Sequence, residues 1–134
     1  MKIMVSACLL GENCKYNGGN NRNKKVIEYV KGHEVIPVCP EVMGGLSTPR
    51  IPSEIRDNTV INREGLSVDK EFRKGAKEAF DIAFREKIDL VILKAKSPSC
   101  GPKQIYDGTF SKTLIDGQGI FASMVLEAGI PFKD

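Results

Sequence analysis

The sequence predicts an α/β protein, a three-layer α/β/α sandwich with a mostly parallel, Rossmann-like sheet. Three short apolar runs, at 3–7, 35–38 and 89–93, have the length and composition of buried strands. Segments with helical periodicity separate these runs. Strands that alternate with helices are typical of a parallel sheet covered on both faces. The 134 residues are enough for a single domain, 1–134, with a core of its own.

A loop and a short helix connect the first two predicted strands. The segment 9–23 is rich in Gly and Asn and predicts a long loop after the strand at 3–7. The helix that follows ends at Gly32, a natural C-terminal stop, and leads into the strand at 35–38. Its apolar face consists of Val26, Ile27 and Val30.

The middle of the chain predicts a loop, a hairpin and a long helix. Prolines and a Gly-Gly pair predict an irregular loop at 39–52, and 55–62 predicts a hairpin that turns at Asp57 and Asn58. A helix is expected after Ser67, with Ser67 as its N-cap. Its apolar residues recur at three- and four-residue steps and form one stripe: Val68, Phe72, Ala76, Ala79, Phe80, Ala83 and Phe84.

The last third contains the third central strand and a final helix. The strand at 89–93 has no polar residue from Leu90 onward, as expected for a strand covered on both faces. Asp107-Gly108 predicts a turn, and a helix is expected at about 119–128 before a stop at Gly129. Residues 130–132 predict an edge strand.

Composition limits the class of protein. The net charge of +3 is too small to predict nucleic-acid binding, and no apolar run approaches the length of a membrane span. The apolar stretch before Cys8 is too short for a secretion signal, so a cytoplasmic location with reduced cysteines is expected. The single histidine, His33, follows the helix-ending Gly32 and is expected at the surface, so a Ser-His-Asp triad is excluded. The sequence carries no signal for an oligomeric state.

Three cysteines follow the predicted strands. Cys8, Cys39 and Cys100 each lie at or shortly beyond a strand end, and parallel strand ends share the edge where ligands bind. Convergent thiolates with one open position suit a [4Fe–4S] cluster. The alternatives are small buried side chains, or zinc held with Cys14, although no close Cys pair typical of zinc sites is present. A third alternative is a hydrolase that uses the thiol of Cys8, but the loop after Cys8 lacks the arginine that a phosphate-binding loop needs.

Other polar residues lie on the same predicted loops. Glu41 follows Cys39 by two residues and is a candidate proton donor and acceptor, or else an exposed loop carboxylate. Ser97 and Ser99 precede Cys100 and either bond their own backbone or reach into the crevice. Arg50 and Lys94 are candidates to offset negative charge in the crevice, or else they are solvated side chains.

Several motifs together resemble the thiouracil desulfurase family along almost the whole chain. The combination is specific, whereas any single motif is weak. The motifs are SACLLG at 6–11, CKYNG at 14–18, PVCPE at 37–41, GGL at 44–46, PR at 49–50, LK at 93–94, SPSCG at 97–101, TFS at 109–111 and GQG at 117–119. One departure is Asn17, where the family more often has Asp.

The resemblance implies an iron–sulfur enzyme that removes sulfur from a small thiolated pyrimidine, 2-thiouracil above all, without net electron transfer. It implies a [4Fe–4S] cluster on Cys8, Cys39 and Cys100, and Cys14 does not match a ligand position. It further implies Glu41 as acid and base, with Ser97 and Ser99 contacting the substrate. No direct contact with nucleic acid or membrane is expected. The alternative function is a zinc- or sulfur-binding module without turnover.

Overall fold

Four parallel strands form the central sheet of the computed structural model, which describes residues 1–134. The elements in chain order are β1 (Lys2–Ser6), a 3₁₀ turn (Ala7–Leu10), α1 (Lys24–Val30), β2 (Glu34–Val38), α2 (Pro40–Met43), β3 (Ser53–Arg56), β4 (Thr59–Asn62), α3 (Asp69–Arg85), β5 (Leu90–Ile92), β6 (Gln104–Tyr106), β7 (Leu114–Asp116), α4 (Ile120–Glu127) and β8 (Phe132–Lys133). The strand order in the sheet is β2-β1-β5-β8, so β2 and β5 lie on opposite sides of β1. Two antiparallel hairpins, β3–β4 and β6–β7, stand outside this sheet.

Helices cover the sheet on both faces, which confirms the predicted three-layer α/β/α architecture. Side chains alternate between the faces along each strand. One face packs against α1 through a cluster of Ile3, Val5, Leu9, Val30 and Ile92. The other packs against α3 and α4, and its larger cluster includes Met4, Phe72, Val91, Phe121 and Val125. None of the helices combines the length and hydropathy needed to cross a bilayer.

The chain departs from the sequence prediction at three places. The loop predicted at 39–52 begins with a helical turn, α2, because Pro40 occupies the first helical position, where its missing N–H costs nothing. The turn at Asp107 belongs to a second hairpin, β6–β7, that was not predicted. The helix α3 has Val68 rather than Ser67 as N-cap, and Phe84 is 77% exposed. The apolar stripe therefore ends at Ala83.

Two glycines allow α2 to lie directly against α3. A Cβ atom on Gly75 would lie 1.6 Å from the carbonyl oxygen of Pro40, and one on Gly44 would lie 1.9 Å from the carbonyl oxygen of Glu71. No side chain fits at either position. This contact fixes α2, which carries Glu41, against the longest helix of the protein.

We expect Gly75→Ala to destabilise the protein. Alanine favours a helix over glycine by about 1 kcal/mol, but overpacking costs about 1–3 kcal/mol or more. A clash with backbone at 1.6 Å leaves no flexible group to move, so the second effect prevails. Urea unfolding measures the difference, with Lys77→Ala on the exposed face of α3 as the control. A Gly75→Ala protein as stable as the wild type would show that the helices can separate without cost.

Candidate functional site

The three predicted cysteines lie at one edge of the sheet. Cys8 is in the 3₁₀ turn after β1, Cys39 is the residue that precedes α2 directly after β2, and Cys100 lies in the loop after β5. These strands are neighbours and run parallel, so their carboxyl ends meet where the strand order reverses, the usual place for a ligand in such a sheet. A cavity of about 400 Å³ opens there, and all three cysteines line it.

Cys14 lies in the same cavity, beside two of the other thiols. Its hydrogen bond is the main reason that the pKa of Cys8 falls to about 6 and that of Cys39 to about 7, in each case against the effect of burial. The Asn21 side chain and the charge of Lys94 lower the pKa of Cys8 further. The pKa of Cys14 is raised by the same contacts with Cys39 and Cys8. The contacts among these three thiols therefore favour a proton on Cys14 and negative charge on Cys8 and Cys39.

Cys100 is the most buried of the four thiols, and burial raises its pKa to about 12. Hydrogen bonds with Ser6 and Ser99 act in the opposite direction. The Ser99 hydroxyl lies 3.6 Å from its sulfur. Such a thiol loses its proton when a metal binds, because the ligand is the thiolate. A hydrogen bond from the Ser6 hydroxyl to the sulfur then supports the charge.

Glu41 points into the cavity from the first turn of α2 and is held at both oxygens. Its Oε1 accepts a hydrogen bond from Arg50 Nε at 3.1 Å, and its Oε2 accepts one from the Ser99 hydroxyl at 2.9 Å. The side chains of Arg50 and Glu41 are only 8% and 15% exposed. A charge-assisted pair so poorly exposed to water fixes the carboxylate more firmly than a surface ion pair would.

Ser97 and Ser99 form a directed chain of hydroxyl groups that ends at Glu41. The Ser97 hydroxyl oxygen accepts from the backbone N–H groups of Ser99 and Cys100, at 3.1 and 3.0 Å. Both of its lone pairs are then used, so Ser97 donates to Ser99 across 3.0 Å. Ser99 in turn donates to the carboxylate. Ser97 is thus engaged with protein groups, and Ser99 is the hydroxyl that links Glu41 to Cys100.

The loop that carries these serines is seated on the amino end of α4. The N–H groups of Ile120, Phe121 and Ala122 donate to the carbonyls of Pro98 and Ser99 at 2.9–3.1 Å. The helix needs no side-chain cap for this reason, and the loop gains backbone partners that hold it in place. A Cβ atom on Gly119 would lie 2.5 Å from the carbonyl carbon of Ser99, so the close approach requires glycine.

The structure brings together all the residues predicted from the sequence and adds several others. Lys94 is beside Cys8, and burial lowers the pKa of its ammonium group. Asn21 and Ser6, which contact the sulfurs of Cys8 and Cys100, were not predicted because polar residues in loops and at strand ends give no distinct signal. The cavity is also lined by cationic and aromatic side chains, namely Lys15, Tyr16, Arg63, Lys96, Tyr106, Phe110 and Lys112.

We expect the metal-free protein to be alkylated first at Cys8 and Cys39. Iodoacetamide reacts with thiolates. The lowered pKa values of about 6 and 7 make these two thiols reactive near neutral pH, below the range of an ordinary cysteine at about 8.5. Cys100, with a pKa raised to about 12, should resist. Mass spectrometry of each cysteine between pH 5 and pH 9 measures the midpoints.

The Cys14→Ala variant provides the control for this measurement. Loss of the hydrogen bond from Cys14 should move the midpoints of Cys8 and Cys39 upward, toward the ordinary thiol value. If both midpoints already lie near that value in the wild type, or if Cys14→Ala leaves them unchanged, Cys14 does not share its proton with these two thiols.

The chain matches a known protein family along almost its whole length. The sequence model of the 2-thiouracil desulfurase family matches residues 3–133. The chain belongs to this family. Among its relatives, a protein of Bacillus subtilis (strain 168) described as uncharacterized protein YbbK is 37% identical to it over 137 residues, which cover 95% of this chain and 91% of that protein.

A solved structure resembles this family member closely. The protein described as [4Fe-4S]-dependent thiouracil desulfidase TudS superposes with a TM-score of 0.92 at 35% identity, over 99% of this chain and 90% of the other. The resemblance to thiouracil desulfurases and the predicted α/β fold are confirmed by these matches.

The spacing of the side chains bears on the kind of metal site. No group of three or more His, Cys, Asp or Glu side chains in this desulfurase-family chain is arranged to hold a single metal ion. An iron–sulfur cluster places its thiolates on different iron atoms, so its ligands need not converge on one point.

Proposed function

We propose that this protein is a [4Fe–4S]-dependent desulfurase that converts 2-thiouracil, or a closely related small thiolated pyrimidine, to its oxo form. The proposal rests on its membership of the family and on its similarity to a thiouracil desulfidase described as [4Fe-4S]-dependent. The single observation that carries it is the meeting of Cys8, Cys39, Cys100 and Glu41 in one cavity at the reversal point of a parallel sheet.

The donor set suits such a cluster. Soft thiolates are the ligands that iron–sulfur clusters use, and Cys8 and Cys39 have lowered pKa values. A cluster on three thiolates is anionic, and Arg50 and Lys94 supply positive charge beside the sulfurs. We assign Cys8, Cys39 and Cys100 as the ligands. We leave Cys14 out because it lies in the loop before α1 and not at the end of a strand, as the other three do.

The residues of the chain would supply proton transfer and orientation. When bound, the cluster offers an iron without a protein ligand, a Lewis acid for the sulfur of a thiocarbonyl group. Glu41 takes a proton from the attacking water, and returns one as the hydrosulfide leaves, so that thiouracil and water give uracil and hydrogen sulfide. Ser99 holds the carboxylate for this task and Ser97 orients Ser99.

We place the protein in the cytoplasm, because its thiols must remain reduced to hold a cluster. We expect residues 1–134 to act as one domain, which the match of the family over residues 3–133 supports. The substrate is a free small molecule rather than a nucleic acid, in keeping with a cavity of about 400 Å³.

Product analysis in isotopically labelled water tests the proposed function. The anaerobically reconstituted protein is incubated with 2-thiouracil in H₂¹⁸O, and uracil and sulfide are quantified together. Hydrolytic desulfuration gives equal amounts of both and one ¹⁸O atom in each uracil formed. The zinc- or sulfur-binding alternative gives neither product. Formation of uracil without ¹⁸O would exclude water as the source of oxygen and remove the role given to Glu41.

A further inference from the structure

We propose that Arg50 is a positioning residue for desulfuration, acting through the Glu41 carboxylate. This inference rests on the proposed function. Arg50 Nε donates to Glu41 Oε1 at 3.1 Å, while Ser99 donates to the other oxygen at 2.9 Å. The two donors come from separate loops, so together they fix both the position and the plane of the carboxylate. A proton donor and acceptor needs such a fixed orientation toward the reacting atoms.

The remaining donors of Arg50 hold its own side chain still. One terminal nitrogen donates to the carbonyl of Ser47 and to the hydroxyl of Thr48, both at 3.1 Å. The other donates to the carbonyl of Cys14 at 2.8 Å. The backbone N–H of Arg50 donates to the carbonyl of Tyr16 at 2.7 Å. These contacts hold the guanidinium group in place independently of Glu41, and the Arg50 side chain is only 8% exposed.

A lysine could not repeat this arrangement. Its ammonium group is a compact charge with three donors on a flexible stem, whereas the planar guanidinium of arginine has five donors in a rigid fork. Arg50→Lys thus keeps the positive charge near Cys39 and Glu41 but loses the directed bonds. If Arg50 served only to offset the charge of thiolates, lysine would suffice. The substitution separates orientation from charge.

The experiment is a double-mutant cycle of Arg50→Lys and Glu41→Gln in reconstituted protein, with iron content, kcat and KM measured for each variant. We expect Arg50→Lys to keep its iron and to lose about 100-fold in kcat, the size of effect that misplacing a reacting group by 1 Å produces. KM should change by less than about threefold. In the Glu41→Gln background the same substitution should have no further effect, because its route to the reaction is already removed.

A second readout does not depend on turnover. In a crystal structure of the Arg50→Lys variant, the Glu41 carboxylate should leave its place and lose the 2.9 Å contact with Ser99. Arg73→Lys is the matched control, since Arg73 forms a similar pair with Asp69 at 2.7 Å on the exposed face of α3. That variant should match the wild type in iron content and kcat.

Several results would overturn the inference. A wild-type kcat in Arg50→Lys, equal losses in both backgrounds, loss of iron, or an unmoved Glu41 in the crystal would each exclude a positioning role. Failure of the proposed function would be seen separately, as a wild-type protein that holds iron but releases no sulfide from thiouracil. The position of Glu41 in the crystal would then still decide whether Arg50 orients it.

Discussion

Replacing any one of Cys8, Cys39 and Cys100 by alanine is expected to abolish both cluster retention and desulfurase activity. Each of these thiols comes from a different strand end, so neither of the other two can take its place. A cluster held by only two thiolates exposes more iron to solvent and is lost. The expected result is a colourless protein with iron near zero after anaerobic reconstitution, and no sulfide release.

The Cys14→Ala variant is the matched control for these three. Cys14 lines the same cavity and has the same chemistry, but it lies in the loop before α1 and not at the end of a strand. We expect it to keep iron content and activity near the wild-type level. Loss of iron in Cys14→Ala, or retention of iron in any one of the other three variants, would contradict the assignment of the ligands.

Replacing Glu41 by glutamine is expected to leave the cluster in place and to remove turnover. Glutamine can still accept a hydrogen bond from Arg50, so the geometry of the pair is preserved and only proton transfer is lost. General acid–base catalysis contributes about 10²- to 10⁴-fold, and kcat should fall by that amount. Steady-state kinetics and iron analysis on the same sample measure the two quantities.

The matched control for Glu41→Gln is Glu78→Gln, on the exposed face of α3. It makes the same chemical change far from the cysteines and should leave kcat unchanged. A Glu41→Gln protein with wild-type turnover would exclude the carboxylate from the mechanism. A variant that loses its iron would instead give Glu41 a role in holding the cluster.

The sequence could predict the central sheet and the convergence of the thiols, because both follow from local patterns. Apolar runs mark the buried strands β1, β2 and β5, and a parallel arrangement brings the residues after them to one edge. The hairpin that turns at Asp57 and Asn58 was also predictable, because Asp and Asn are residue types that favour the left-handed conformation such a turn requires. Both residues adopt that conformation in the structure.

The partners of Glu41 could not be predicted in this way. Ser99 lies 58 residues after Glu41 in the chain. Cys14, whose carbonyl anchors Arg50, lies 36 residues before Arg50. Such contacts depend on how the loops pack and not on any local pattern. The helix α2 was missed for a related reason. Proline near a strand end indicates a loop, and the close packing of α2 at Gly75 is a distant contact that no local pattern shows.

Taken together, the contacts show how remote parts of the chain determine the site. The glycines between α2 and α3 fix the helix that carries Glu41, and the amino end of α4 holds the loop with Ser99 and Cys100. Backbone contacts on both sides of the cavity therefore fix the positions of Glu41, Ser99 and Cys100. Substitutions at these contacts should reduce activity without removing any group that reacts.

The most direct test of the proposed function is a count of iron and sulfide per chain, joined to a 2-thiouracil assay on the same anaerobically reconstituted sample. We expect a brown protein with about four irons and four sulfides per chain that releases hydrosulfide from thiouracil. A protein that stays colourless, binds zinc through its four cysteines and leaves thiouracil unchanged would contradict it.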